Sequence, residues 1–228
     1  MAFLPLNNDH DFLTFAYSWL GSEPSTLDKV HGIVGCSRSL LFIQYYIRSM
    51  AMQAEILKWS KHRRRDRGLE VVARLQRLER WVDQTEDNEA REIALKTHDA
   101  FVDATILYAH VRYMHCIPND PFVQSVASRL THTLCSLPSE GRLYSGLHPA
   151  WCFLIACACT TDSSQYKSMT AILHGIGRSN KSNVSAVANV ASIIWEWKKS
   201  QAELSKGWWE DMTLHIQQNM GNRLICVT

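Results

Sequence analysis

The sequence predicts an all-α fold, an irregular bundle of about 9–10 helices around one central apolar helix at residues 150–160. Only 10 Gly and 6 Pro occur among 228 residues, and so few helix breakers favour long helices over many short strands. Hydrophobic residues make up 46% of the chain, which is enough to build a core. Because this length suits one domain, we expect residues 1–228 to form a single helical domain.

Apolar positions at helical spacing define the N-terminal half of this bundle. They predict helices over residues 11–20, 25–34, 37–60, 69–82 and 89–116. The basic run Lys61-His-Arg-Arg-Arg-Asp-Arg67 follows the third of these helices and precedes Gly68. Because glycine interrupts helices, we expect a break at Gly68 and a solvated loop over the basic run. The alternatives for this run are a nuclear localisation signal and a contact for an acidic surface.

Prolines, glycines and capping residues define the C-terminal half. They predict helices over residues 121–136, 150–160, 163 to 175 or 177, 183–199 and 206–220. Asp120 is the expected N-cap of the first of these, with Pro121 in its first turn. The segment 150–160 is apolar on all sides, so we expect it at the centre of the core. No segment shows the sustained alternation that predicts a strand.

Cysteine content, the N-terminal segment and net charge indicate the cellular compartment and the classes of partner to expect. The seven cysteines are odd in number, and the N-terminus lacks a basic segment followed by an apolar one. We therefore expect free thiols and an intracellular protein, cytoplasmic or nuclear. No apolar run reaches the ~18 residues that span a bilayer, so we expect no membrane contact. A net charge of +2 is too weak a bias to predict nucleic-acid binding.

Several segments together are similar to one known family. The stretch Leu147-His-Pro-Ala-Trp-Cys-Phe-Leu-Ile-Ala-Cys-Ala-Cys159 resembles the signature helix of the fungal-specific transcription factor domain. This is the regulatory domain that follows binuclear zinc-cluster DNA-binding modules. Further similar segments occur in the family's order, at residues 31–40, 109–126, 194–195 and 208–209. The resemblance is clearest over residues 28–212, and it implies an all-helical bundle of the kind found in nuclear regulators.

Departures from the family pattern limit what the resemblance implies. The zinc cluster needs six cysteines in two C-x-x-C-type blocks, whereas the only close pair here is Cys157-Ala-Cys159 in an apolar stretch. The family's tryptophan before the signature proline is His148 in this chain. The resemblance also implies that the first half of the usual domain is missing. We therefore expect a truncated domain that lacks its own DNA-binding cluster and does not contact nucleic acid directly.

Aromatic residues supply the candidates for a ligand site. Phe101, Tyr108, Trp151 and Trp195 are expected to line an apolar pocket, because small-molecule sites are largely apolar. The alternative is that these rings pack against one another in an ordinary core.

Polar residues near these aromatics supply weak candidates for catalysis. Asp99 and Asp103 are spaced i and i+4, so they share one face of a helix. Paired acids can do acid–base work when they are buried, and His148 is a third candidate. The alternative for the acids is a solvated helix face.

Cysteine and histidine spacing does not match a metal site, and we expect no metal and no cofactor. Cys157 and Cys159 point ~200° apart on a helix, which favours buried structural thiols. His110, His115 and Cys116 lie at the end of a predicted helix. A capping or core role is favoured there over a Cys–His nucleophile.

Three functions fit these observations. The first is a stand-alone regulatory or effector-binding module, as the resemblance implies, whose partner is a partner protein or a small apolar metabolite. The family's regulatory domains are associated with repression, dimerisation or response to small effectors, so an oligomer is compatible with this function. The second is a cofactor-independent isomerase or cyclase of a fungal secondary-metabolism gene cluster, using an apolar pocket. The third is a fragment of a longer regulator.

Overall fold

A computed structural model describes residues 26–30, 35–83, 87–139, 149–179, 184–205 and 207–220. Within these ranges the fold is all-α, as predicted, and contains no strand. The elements are α1 (Arg38–Ile56), α2 (Lys61–Gln76), α3 (Asn88–Tyr108), a π-helical turn (Ala109–Tyr113), α4 (Pro121–Ser136), α5 (Ala150–Cys159), α6 (Ser163–Ser179), α7 (Val184–Ser200) and α8 (Trp208–Asn219). The helix predicted over 11–20 lies outside the described residues.

The described part of the segment 25–34 is not the helix that we predicted. Residues 26–30 form a turn that leads into two isolated β-bridges, from Lys29 to Trp81 and from Val30 to Ser37. The backbone N–H of Val30 donates to the carbonyl of Trp81 at 2.9 Å. This contact with the chain beyond α2 replaces the local hydrogen bonds that a helix needs.

Helix α5 lies at the centre of the core, as its composition predicts. Every residue from Trp151 to Cys159 is buried. The helix packs against α3, α4, α6 and α7. Because an apolar helix has no face that suits water, it is most stable where neighbouring helices cover it on all sides.

The boundary between α1 and α2 differs from the prediction. Helix α1 ends at Ile56, and the basic run 61–67 forms the first two turns of α2 rather than a loop. The hydroxyl of Ser60 accepts from the backbone N–H of Arg63 at 3.3 Å, so Ser60 is the N-cap. Gly68 lies inside α2 and is buried against Met114, where a Cβ would collide with that side chain. Glycine here permits close helix packing instead of breaking the helix.

Two other helices end differently from the prediction. Helix α6 continues beyond Gly175 to Ser179. Ile176 is buried, and its burial outweighs the ~1 kcal/mol that a glycine costs inside a helix. The helix predicted over 89–116 changes after Tyr108 into the π-helical turn, in which the N–H of Met114 donates to the carbonyl of Ala109 at 3.0 Å. In the part of the chain that the structure describes, no helix combines the length and apolar character needed to cross a membrane.

Candidate functional site

Three of the four predicted ligand-binding aromatics meet in one cluster. The ring of Trp151 stacks on Phe101 at 6.3 Å between centroids and meets the edge of Tyr108 at 6.0 Å. Tyr108 in turn lies 5.7 Å from the ring of Trp209 on α8. Trp195 lies apart and stacks on Tyr166 at 4.3 Å. The contacts are between rings, which is the arrangement of a packed core joining α3, α5 and α8.

The two predicted acids are each held by an arginine. Asp103 is only 7% exposed and receives two hydrogen bonds from Arg129 of α4, at 2.8 and 2.6 Å. Asp99 forms an ion pair with Arg80, in the segment after α2. Each carboxylate therefore has its own guanidinium partner, and both pairs connect helix α3 to its neighbours. His148, the third catalytic candidate, lies outside the described residues.

The cysteines and histidines of the core are held in their neutral forms. Burial raises the pKa of Cys157 and of Cys159 to about 12. His110 Nδ1 lies 3.7 Å from the sulfur of Cys116. Burial lowers the pKa of His110 to about 4 and raises the pKa of Cys116, so both groups are uncharged near neutral pH. Among the described residues, no group of three or more His, Cys, Asp or Glu is arranged to hold a metal ion.

A concave pocket lies where the α1–α2 connection meets the end of the π-helical turn. Its volume is about 350 Å³, and it opens to solvent. We call it the corner pocket, and its lining residues are Trp59, Lys61, Arg64, Met114, His115 and Gly207. The lining combines apolar side chains, Trp59 and Met114, with basic ones, Lys61 and Arg64, so the pocket presents both kinds of contact that small ligands use.

Unusual backbone conformations border the corner pocket on two sides. Lys58 and His115 are the two non-glycine residues with positive φ in the described ranges, at 47° and 56°. Lys58 ends α1 in a Schellman motif, in which the N–H of Trp59 donates to the carbonyl of Ala54 at 2.9 Å. His115 follows directly on the π-helical turn. The helix C-cap accounts for the conformation of Lys58. A π-helical turn followed by a left-handed residue such as His115 is less usual and occurs frequently at functional sites, which supports this corner as the site.

Arg64 connects the two sides of the pocket. Its Nη1 lies 2.6 Å from His115 Nε2. Arginine can only donate, so the ring nitrogen of His115 is the acceptor in this hydrogen bond. Arg63 covers the ring of Trp59, with its guanidinium 4.0 Å from the ring centroid. These contacts fix the positions of the cationic and aromatic walls.

Positive charge is concentrated at the N-terminal end of α2. No acidic residue lies in its first turn, and among the described residues Lys61, Arg63 and Arg65 form no ion pair. A helix N-terminus carries a partial positive charge, so basic side chains there are unfavourable by about 0.3–1 kcal/mol each. An anion bound at this end would relieve that repulsion.

Exposed apolar side chains lie beside this basic end. Ile56 is 73% exposed and Leu57 is 62% exposed, at the end of α1. The indole Nε1 of Trp59 has no hydrogen-bond acceptor in the structure. Exposed apolar side chains such as Ile56 and Leu57 are typical of a surface that a partner covers, whereas the Trp59 Nε1 atom is buried.

Sequence reasoning identified the basic run but missed the pocket beside it. Trp59, Met114 and His115 come together only because α2 packs on the π-helical turn. A π-helical turn and a left-handed His115 have no signature in the sequence. The sequence does contain Ser60, a residue type that favours the N-cap position, and as the N-cap of α2 it places the basic run on a helix.

One family model matches nearly the whole chain. The family model described as "Fungal specific transcription factor domain" matches residues 6–225. Comparison with curated proteins and with solved structures gives no match. The all-α fold agrees with the expectation drawn from the resemblance of residues 147–159. The chain belongs to the fungal-specific transcription factor domain family and is a regulatory module related to fungal transcription factors.

Proposed function

We propose that this domain is an effector-responsive regulator of fungal transcription, which binds a small ligand in the corner pocket and contacts partner proteins. The observation that carries the proposal is the pocket itself, an open concavity lined by both apolar and basic side chains. The left-handed His115 and the π-helical turn add strain that a binding site accounts for. The proposal applies equally to a domain that acts alone and to one that belongs to a longer regulator.

The proposal assigns DNA binding to another protein or module. The only closely spaced cysteines are Cys157 and Cys159, and both are buried in α5. Thiols in that position are enclosed by the core rather than presented to a metal ion. A nuclear location also belongs to the proposal, because the basic residues of α2 are largely exposed and accessible to a transport receptor.

A cofactor-independent isomerase or cyclase is the competing function. It would need one or two polar groups placed next to its substrate, and the candidates are Asp99, Asp103 and His148, of which His148 lies outside the described residues. Asp99 and Asp103 are paired with Arg80 and Arg129. We therefore favour regulation, and the experiment below separates the two functions.

A reporter experiment tests the proposed function. The full chain is fused to an unrelated DNA-binding module, and transcription is measured from a promoter that carries the matching sites. We expect the fusion to change transcription several-fold relative to the module alone. The double variant Lys61→Gln/Arg64→Gln should reduce this effect, while the matched control Arg65→Gln, on the same helix but outside the pocket lining, should retain it. A fusion indistinguishable from the module alone would contradict the proposal.

A further inference from the structure

We infer that the corner pocket binds a small organic anion with a flat apolar body, of the aromatic carboxylate class. The inference deepens the proposed function and rests on it for its biological meaning. The pocket lies between the α1–α2 connection, the first turns of α2 and the residues after the π-helical turn.

Basic side chains supply the charge that such an anion needs. Lys61 and Arg64 both line the pocket, and among the described residues that line it none is acidic. Arg64 uses one of its five N–H donors on His115, which leaves donors for a carboxylate. The partial positive charge at the start of α2 adds to the attraction.

Two lining side chains, Trp59 and Met114, supply the apolar contact. The indole of Trp59 and the thioether of Met114 line the pocket, and sulfur packs favourably against aromatic rings. The guanidinium of Arg63 on the Trp59 ring keeps the indole in place. A flat ring can therefore lie against a surface that is already ordered, which lowers the entropic cost of binding.

The size and composition of the pocket argue against a bare inorganic anion as the natural ligand. A volume of about 350 Å³ falls at the small end of ligand sites, and it far exceeds what phosphate alone would fill. Phosphate would contact Lys61 and Arg64 but make no apolar contact with Trp59 or Met114. An aromatic carboxylate satisfies both walls at once.

Isothermal titration calorimetry on the full chain tests this inference with three probes. The probes are 2-naphthoate, its neutral counterpart 2-naphthylmethanol, and inorganic phosphate. We expect 2-naphthoate to bind with one-to-one stoichiometry, and about tenfold or more tighter than either of the others. The alcohol lacks the charge-assisted hydrogen bonds of the carboxylate, and phosphate lacks its apolar contact. Equal affinity for the alcohol, equal affinity for phosphate, or no saturable binding of 2-naphthoate would each overturn the inference.

Matched variants locate the site. Arg64→Gln and Lys61→Gln should each weaken 2-naphthoate binding, by about tenfold for Arg64. Arg65→Gln removes the same charge from the same turn of α2 but does not line the pocket, so it should change affinity less than about twofold. Lys61 is fully at the surface, so its variant reports on binding even where Arg64→Gln affects folding. Equal losses in Arg64→Gln and Arg65→Gln would show nonspecific charge attraction and overturn the site.

The reporter experiment and the calorimetric titration have negative results that can be told apart. Reporter activity that depends on Lys61 and Arg64, together with no binding of 2-naphthoate, would reject the ligand class and keep the regulatory function. Binding of 2-naphthoate that depends on Arg64, together with an inactive reporter fusion, would keep the site and reject regulation through this domain.

Discussion

Lys58 and His115 occupy a backbone region that side chains other than glycine avoid, with φ of 47° and 56°. Left-handed conformation costs an ordinary residue about 1–2 kcal/mol. Both residues border the corner pocket, one before Trp59 and one as part of the lining. These two conformations lower the stability of the fold, and the surrounding structure holds them in place at this corner.

Replacing Lys58 with glycine tests whether this strain is present. Glycine tolerates positive φ but loses more entropy on folding, so we expect Lys58→Gly to raise the free energy of unfolding by about 0.5–1 kcal/mol. Urea denaturation measures the change. The control Lys58→Ala keeps a Cβ and should leave stability nearly unchanged. A loss of stability in the glycine variant would show that Lys58 is not strained.

Two buried histidines make stability depend on pH. Burial lowers the pKa of His98 and of His110 to about 4, whereas an unfolded histidine titrates near 6.5. The unfolded chain therefore takes up protons first, and the free energy of unfolding should fall as the pH drops from about 6.5 to 4. Denaturation midpoints across this range measure the effect. The slope of the free energy of unfolding against pH should decrease in His98→Leu. It should stay unchanged in the control His132→Leu, which alters an exposed residue. A wild-type slope of zero would contradict the account.

At the scale of elements, ion pairs connect one helix to another. Arg112 pairs with Glu55 of α1 at 2.6 Å and with Glu210 of α8. Asp103 and Arg129 join α3 to α4 in the same way. Such pairs are costly to break when one partner is buried, because the remaining charge loses its compensation.

The Asp103–Arg129 pair gives a prediction for the α3–α4 interface. Arg129→Leu leaves the buried carboxylate of Asp103 unpaired, so we expect the free energy of unfolding to fall by about 1–3 kcal/mol. Adding Asp103→Asn should restore part of the loss, because it removes the unpaired charge. Chemical denaturation of the two single variants and the double variant measures the coupling. Strictly additive losses would mean that the two residues do not interact.

Lys198 of α7 closes the C-terminal end of α5. Its Nζ donates to the carbonyls of Cys157 at 3.2 Å and Ala158 at 3.0 Å, and also to that of Thr160. Burial lowers the pKa of this lysine to about 8. The ammonium satisfies carbonyls that the end of a helix leaves without partners.

Removing this ammonium group should destabilise the core. We expect Lys198→Met, which keeps the length of the side chain, to lower the free energy of unfolding by about 1–3 kcal/mol because buried carbonyls lose their donor. Lys199→Met is the matched control, since Lys199 is exposed and its contacts are with Glu196 and the ring of Trp195, both on its own helix. Urea midpoints compare the two variants. Equal effects would show that the carbonyl contacts of Lys198 contribute nothing.

At the scale of the whole molecule, the fold follows from the sequence where the pattern is local. The fully apolar segment 150–160 predicted a central helix, and α5 is that helix. Asp120 and Pro121 predicted the start of α4, where the Asp120 carboxylate accepts from the N–H of Phe122 at 2.9 Å. Each of these signals is complete within a few residues, so no distant contact is needed to interpret it.

The remainder depends on contacts between distant segments. Gly68 was expected to break a helix, but its packing against Met114 makes it part of one. The segment at Val30 was expected to be helical, but its partner Trp81 lies 51 positions further along the chain. The candidate site depends on distance in the same way. Phe101, Tyr108 and Trp151 do meet, and the ring contacts between them join α3 to α5.

The central claim is that ligands bind at the corner pocket and not at the aromatic cluster, and the site of binding tests it most directly. Indole N–H signals in a nitrogen-15 NMR spectrum report separately on each tryptophan. On addition of 2-naphthoate, we expect the signal of Trp59 to shift in a saturable way, together with the backbone signal of His115, while Trp151 and Trp195 stay unchanged. Shifts confined to Trp151, with Trp59 unchanged, would contradict the claim and return the site to the interior of the bundle.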